Sequence, residues 1–150
     1  MPNSITLPAE IAQADQLRDQ GKIDEALVAY RRYAEQNPSL PIGPYKIGTM
    51  LMRLGQSIEA EAQMRKPLAL DPGYGDAANN LSILLMGRKA YEDAEPLLRG
   101  AIGNDINHFS LHINLGDLLT NTGRLPEALY YFRRAVEMDP KSGFAKERLA

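Results

Sequence analysis

Gly123-Arg124-Leu125-Pro126-Glu127-Ala128-Leu129-Tyr130-Tyr131-Phe132-Arg133-Arg134-Ala135-Val136-Glu137-Met138-Asp139-Pro140 is the stretch on which the fold turns. Leu125, Ala128, Leu129, Phe132, Ala135 and Val136 fall at helical spacing with charge between them, which predicts an amphipathic helix. The same stripe stands far upstream, in Ile23, Ala26, Leu27, Tyr30, Tyr33 and Ala34. Between the two, Ala26, Ala60, Ala94 and Ala128 mark a step of 34 residues. Other positions keep that step. Pro38, Pro72 and Pro140 follow three of the alanines by twelve, and Gly21, Gly55 and Gly123 precede three of them by five. Tyr30, Met64, Leu98 and Phe132 follow each alanine by four, and the pairs Ile47-Gly48, Leu81-Ser82 and Leu115-Gly116 put a small residue twelve before.

These residues resemble the tetratricopeptide repeat: a 34-residue unit with a leucine-glycine pair, an alanine, an aromatic four later and a closing proline. The resemblance covers about 7 to 142 and implies four helical hairpins, 7–40, 41–74, 75–108 and 109–142, in one domain spanning 1–150. The fold it implies is an all-α, right-handed superhelical solenoid. Residues 143–150 start a further or capping helix, with Leu149-Ala150 in the leucine-small slots of a fifth repeat, and we expect the chain to continue beyond it.

Each slot has a mechanical reason. Gly21, Gly55 and Gly123 stand where the first helix must end in a left-handed residue, which glycine adopts without a steric cost. Asp71-Pro72 and Asp139-Pro140 stop the second helix, because a residue before proline is pushed out of the helical region. The alanines with Gly48 and Gly116 let helices approach at the short end of the roughly 8–10 Å packing range. Three departures stand out. Repeat three has Ile106 in place of proline and Gly87 two residues early, so its internal turn is expected to be the least secure of the four. Pro67 lies inside a helix and predicts a kink, at about 3 kcal/mol in isolation. Ala14 fills the glycine slot of the first repeat.

Composition narrows the function. With 44% hydrophobic and 24% charged residues in 150, the chain has enough apolar surface to fold. A net charge of −2 argues against nucleic acid as ligand. Without cysteine there is no thiolate metal site, disulfide or cysteine nucleophile. No run is apolar enough for a membrane span, and Met1 to Ser4 lacks the parts of a signal peptide, so a cytoplasmic protein is expected. His108 and His112 are four apart but lack the glutamate of a zinc-protease helix. With no phosphate loop either, neither cofactor, metal nor enzymatic activity is expected here.

The resemblance implies that function lies on the concave face, lined by the first helix of each hairpin. The phase of the repeat places Ile11, Asp15, Ile42, Tyr45, Lys46, Thr49, Met52, Asn79, Asn80, Ile83, Met86, Ile113, Asn114, Asp117 and Asn121 there. The peptide-binding candidates are Tyr45, Lys46, Asn79, Asn80, Ile83, Met86, Ile113, Asn114, Asp117 and Asn121. Asn80 and Asn114 share one slot, which resembles the asparagine ladder in the tetratricopeptide region of protein O-GlcNAc transferases. A carboxamide both donates and accepts, which suits a peptide main chain. Lys46 and Ala12 replace the amide in repeats two and one. The carboxylate clamp of chaperone-binding relatives does not fit, because its basic positions hold Ile11, Ile42, Asp76 and Ser110.

Arg31, Arg65, Arg99 and Arg133 also share a slot. Such a ridge is either a site for an acidic partner or a row of surface pairs, as the spacing of Glu61 to Arg65 and Glu95 to Arg99 allows. The expected function is a scaffold that binds a peptide or helix of a partner protein, as the N-terminal docking module of a larger protein. A self-assembly module, or the substrate-recognition region of a glycosyltransferase-like enzyme, is the alternative.

Overall fold

The computed structural model describes residues 7–150, and the reading of Met1 to Ser4 lies outside them. Every regular element among the described residues is helical. The chain forms two compact units, 1–70 and 71–150. The first holds α1 (Ala9–Asp19), α2 (Ile23–Gln36), α3 (Ile42–Arg53) and α4 (Ser57–Leu70). The second holds α5 (Gly75–Gly87), α6 (Tyr91–Asn104), α7 (Phe109–Asn121), α8 (Leu125–Met138) and α9 (Gly143–Glu147). Each consecutive pair from α1 to α8 is a hairpin in the expected phase, with α3 packed on α2 and α7 on both α5 and α6. None of the described helices is long and apolar enough to cross a membrane.

The turn inside each hairpin is built the same way four times. Gly21, Gly55 and Gly123 have φ of 79°, 74° and 79°. In the third hairpin the same conformation falls on Lys89, at φ 61°, while Gly87 is the last residue of α5. The early glycine therefore does not shift this turn, which keeps the register of the other three. Lys89 N–H donates to the Met86 carbonyl and Ala90 N–H to the Leu85 carbonyl, as Gly123 N–H does to Thr120 and Arg124 N–H to Leu119. Tertiary packing sets this geometry, and the lysine carries the steric cost that glycine would not.

The missing proline at Ile106 is also without consequence for the helix end. α4, α6 and α8 stop immediately before Asp71, Asp105 and Asp139. Each carboxylate accepts from the backbone N–H two residues on: Gly73 at 3.0 Å, Asn107 at 3.1 Å and Lys141 at 3.2 Å. The aspartate turn is thus the recurrent stop signal, and proline only reinforces it. Pro67 sits buried within α4, which runs on to Leu70.

The core is made of large residues facing small ones. Ala26, Ala60, Ala94 and Ala128 are at most 1% exposed, and Tyr30, Met64, Leu98 and Phe132 at most 3%. A Cβ on Gly116 would lie within 2.7 Å of three Phe132 ring atoms, and one on Gly48 would lie 2.8 Å from the Met64 methyl. Glycine is required at 116 because the aromatic ring occupies the side-chain space.

Three arginines of the shared slot, Arg31, Arg65 and Arg99, are spent on pairs. Arg31 reaches Glu59 at 2.8 Å, and Arg99 reaches Glu127 at 3.0 Å, the same step of 28 residues between successive second helices. Arg65 bonds Glu61, and Arg99 also bonds Glu95. Glu95 receives Arg124 as well, at 2.9 and 2.6 Å on its two oxygens. The hydrogen bonds from Arg124 hold the Glu95 carboxyl below its ordinary range, with those from Arg99 assisting against partial burial.

Candidate peptide-binding site

The first helices of the hairpins carry the candidate residues, and each unit arranges them differently. In unit one, Lys46 on α3 reaches back to Asp15 on α1, at 3.1 Å. Asp15 also accepts from Arg18 at 3.2 Å and from the Tyr30 hydroxyl. Tyr30 has no exposure, and burial followed by the bond to Asp15 pushes its hydroxyl pKa well above the ordinary value. Lys46 is therefore neutralised within the fold. Ile11, placed on the open face by the repeat phase, is 0% exposed and belongs to the core. Ile113 in the same slot is also buried, so this slot faces the core when an isoleucine fills it, whereas Tyr45 and Asn79 there are half-buried. Tyr45, Ile42, Thr49 and Met52 are half-buried, and Thr49 bonds the Tyr45 carbonyl.

In unit two, the amides of α5 and α7 are linked. Asn114 donates to the Asn79 side-chain oxygen at 2.5 Å, and Asn79 donates to Asn80 at 3.4 Å. The direct partner of Asn114 is therefore Asn79 and not its slot-mate Asn80. The relay runs one way, so Asn114 keeps its carbonyl oxygen and one N–H for other contacts. All three amides are half-buried.

Beside them lies a hollow of 180 Å³ lined by Asn79, Ile83, Phe109, Ser110, Ile113, Asn114 and Phe144. The repeat phase had named Asn79, Ile83, Ile113 and Asn114 among these. It left out Phe109 and Phe144, at the starts of α7 and α9, and named Ser110 only as a position where the carboxylate clamp is not met. Ile113 is only 3% exposed and forms a floor, whereas Ile83 and Phe144 are 44% and 54% exposed. Phe144 is carried by α9, whose position is fixed by Arg148. That guanidinium bonds both Asp117 oxygens, at 2.6 and 3.0 Å, and lies 3.7 Å over the Phe144 ring. Asp117 is thus engaged, while Met86 and Asn121 stand outside the hollow's lining, at the far ends of α5 and α7.

The two histidines are used separately. His108 Nε2 lies 3.0 Å from Asp76, and His112, 3% exposed, places Nδ1 3.0 Å from the His108 carbonyl. No group of three potential metal ligands occurs among the described residues.

Sequence models of the tetratricopeptide repeat family match residues 45–108 and 109–142, which together are more than half of the chain. Anaphase-promoting complex subunit 7 of Mus musculus is 34% identical over 82 residues, 55% of this chain and 14% of that protein. Among solved structures, MamA superposes with a TM-score of 0.81 at 20% identity, covering 97% of this chain and 82% of its own. PilF of Pseudomonas aeruginosa gives 0.85 at 21%, covering 94% and 64%. YrrB, described as a TPR protein with an unusual peptide-binding site, gives 0.77 at 25%, covering 97% and 75%. The phase of the hairpins, the left-handed turn in each and these matches lead to one conclusion: the chain belongs to the tetratricopeptide repeat family, and its residues form a repeat domain rather than a catalytic one.

Proposed function

We propose that the chain is a protein-interaction module that holds an extended segment of a partner on the amide face of α5 and α7. The observation that carries this reading is the relay Asn114 to Asn79 to Asn80 beside an open apolar hollow. Such amides accept a main-chain N–H and donate to a main-chain carbonyl without regard to side chain. The likeness to YrrB supports a peptide as ligand. The match to 14% of a larger subunit supports a docking role within a longer protein.

Magnitudes decide how the load is shared. Hydrogen bonds net about 1 kcal/mol each, whereas association costs about 4–15 kcal/mol. Amides alone do not hold a ligand, so exposed apolar residues such as Ile83 and Phe144 must supply the remainder. The test uses peptides enriched from a random dodecapeptide library on the wild-type protein. Replacing both Asn79 and Asn114 by alanine should weaken those peptides by about 1–3 kcal/mol. Unchanged affinity, or the absence of any enriched peptide, would retire the reading.

A further inference from the structure

We infer that the hollow between α5, α7 and α9 is a pocket for one large uncharged apolar side chain of the bound segment, and that Phe144 on α9 is the wall that selects it. The inference rests on the peptide-binding reading above and specifies its ligand. Three observations carry it.

The lining comes first. Ile113 is a buried apolar floor, Ile83 and Phe144 are half-exposed apolar rims, and the 180 Å³ between them is open. Apolar surface left uncovered on both rims gains from an apolar occupant, and a charged one would be desolvated there without a partner.

Charge complementarity gives the same answer. Arg148 stacks on the Phe144 ring, and both oxygens of Asp117 already hold it. None of the residues lining the hollow is charged. An acidic or basic residue of the partner therefore meets no counter-ion, while leucine, isoleucine, methionine or phenylalanine loses nothing.

The polar edge fixes the occupant's backbone. Asn114 lines the hollow with a carbonyl oxygen and one N–H left over after its bond to Asn79, and the Ser110 side chain lies on the same lining. A main chain running past Asn114 is thus held at the residue whose side chain enters the pocket, which makes the selection positional and not a general stickiness.

The experiment compares library selections on three versions of this 150-residue chain. On the wild type, enriched dodecapeptides should share one position restricted to large apolar residues. Phe144→Ala should weaken them about tenfold or more, with an unchanged circular dichroism spectrum, because half of this ring is already in water. Ile83→Lys should move the restricted position toward acidic residues, a switch that simple loss of stability does not produce. Peptides that depend on Asn79 and Asn114 but show no apolar position, or bind Phe144→Ala equally well, would overturn the pocket and leave the peptide-binding reading intact. A library that enriches nothing would overturn both.

Discussion

Arg148 lies on Asp117 as Lys46 lies on Asp15: a cation in the amide slot reaches 31 residues back to an aspartate on the first helix of the preceding hairpin. The slot that carries Asn80 and Asn114 therefore has, apart from Ala12, two kinds of polar occupant with opposite consequences. As an amide it keeps hydrogen-bonding capacity in reserve. As a cation it becomes a clasp between neighbouring hairpins and leaves no net charge on that stretch of the face.

The clasp around Asp15 should matter more than the one around Asp117. Asp15 accepts from Tyr30, Arg18 and Lys46, and Tyr30 is fully buried. Asp15→Ala leaves a buried hydroxyl without its acceptor and should cost about 2–3 kcal/mol in urea unfolding. Asp117→Ala breaks a partly exposed pair and should cost about 1 kcal/mol or less. It should also raise amide exchange in α9, whereas equal costs at the two sites would contradict this ranking.

Glycine 116 and glycine 48 should respond differently to the same methyl group. Gly116→Ala drives a Cβ into the Phe132 ring, and the expected loss is about 1–3 kcal/mol despite the better helix propensity of alanine. Gly48→Ala meets the flexible end of Met64 and should be tolerated within about 1 kcal/mol. Thermal unfolding of the two variants distinguishes them, and Phe132→Leu should restore part of the Gly116→Ala loss.

Lys89→Gly should stabilise the protein. The left-handed conformation at φ 61° costs a lysine about 1–2 kcal/mol, and the added freedom of glycine in the unfolded chain returns part of that. A gain of about 0.5–1 kcal/mol is expected, while a loss would mean the lysine side chain holds the turn.

The pH limits of stability follow from two groups. Tyr30 has a raised folded pKa, so its contribution is complete below the ordinary tyrosine value, near about 10, and is lost as pH rises above it. Tyr30→Phe should flatten that alkaline decline. Glu95 has a lowered folded pKa, so its contribution is present above the unfolded value of 4.5 and disappears as pH falls through the folded one. Glu95→Gln should remove that part of the acid decline in unfolding midpoints measured between neutral and acid pH.

Much of this architecture is legible in one dimension, and the reason is periodicity. Because each hairpin repeats one local solution, Ala26, Ala60, Ala94 and Ala128 declare the packing face, and Gly21, Gly55 and Gly123 declare the turn. Where the repeat keeps its geometry but changes its residue, the pattern misleads. Lys89 adopts the glycine conformation because the flanking helices dictate it, and Asp105 ends α6 without a proline because its carboxylate bonds the next turn. Phase alone also put Ile11 on the open face, although it is buried.

By itself, then, the sequence determined the helical repeat, its register, the residue types on each first helix and the lack of thiol chemistry. Those properties depend on spacing along one chain, which helical geometry converts directly into faces. Only the tertiary structure decided that Asn114 bonds Asn79, that Arg148 grips Asp117, and that Phe144 walls a hollow with Ile83. Those are meetings of side chains from different helices, and rotamers, helix separation and competing hydrogen bonds choose among partners that the spacing leaves equivalent.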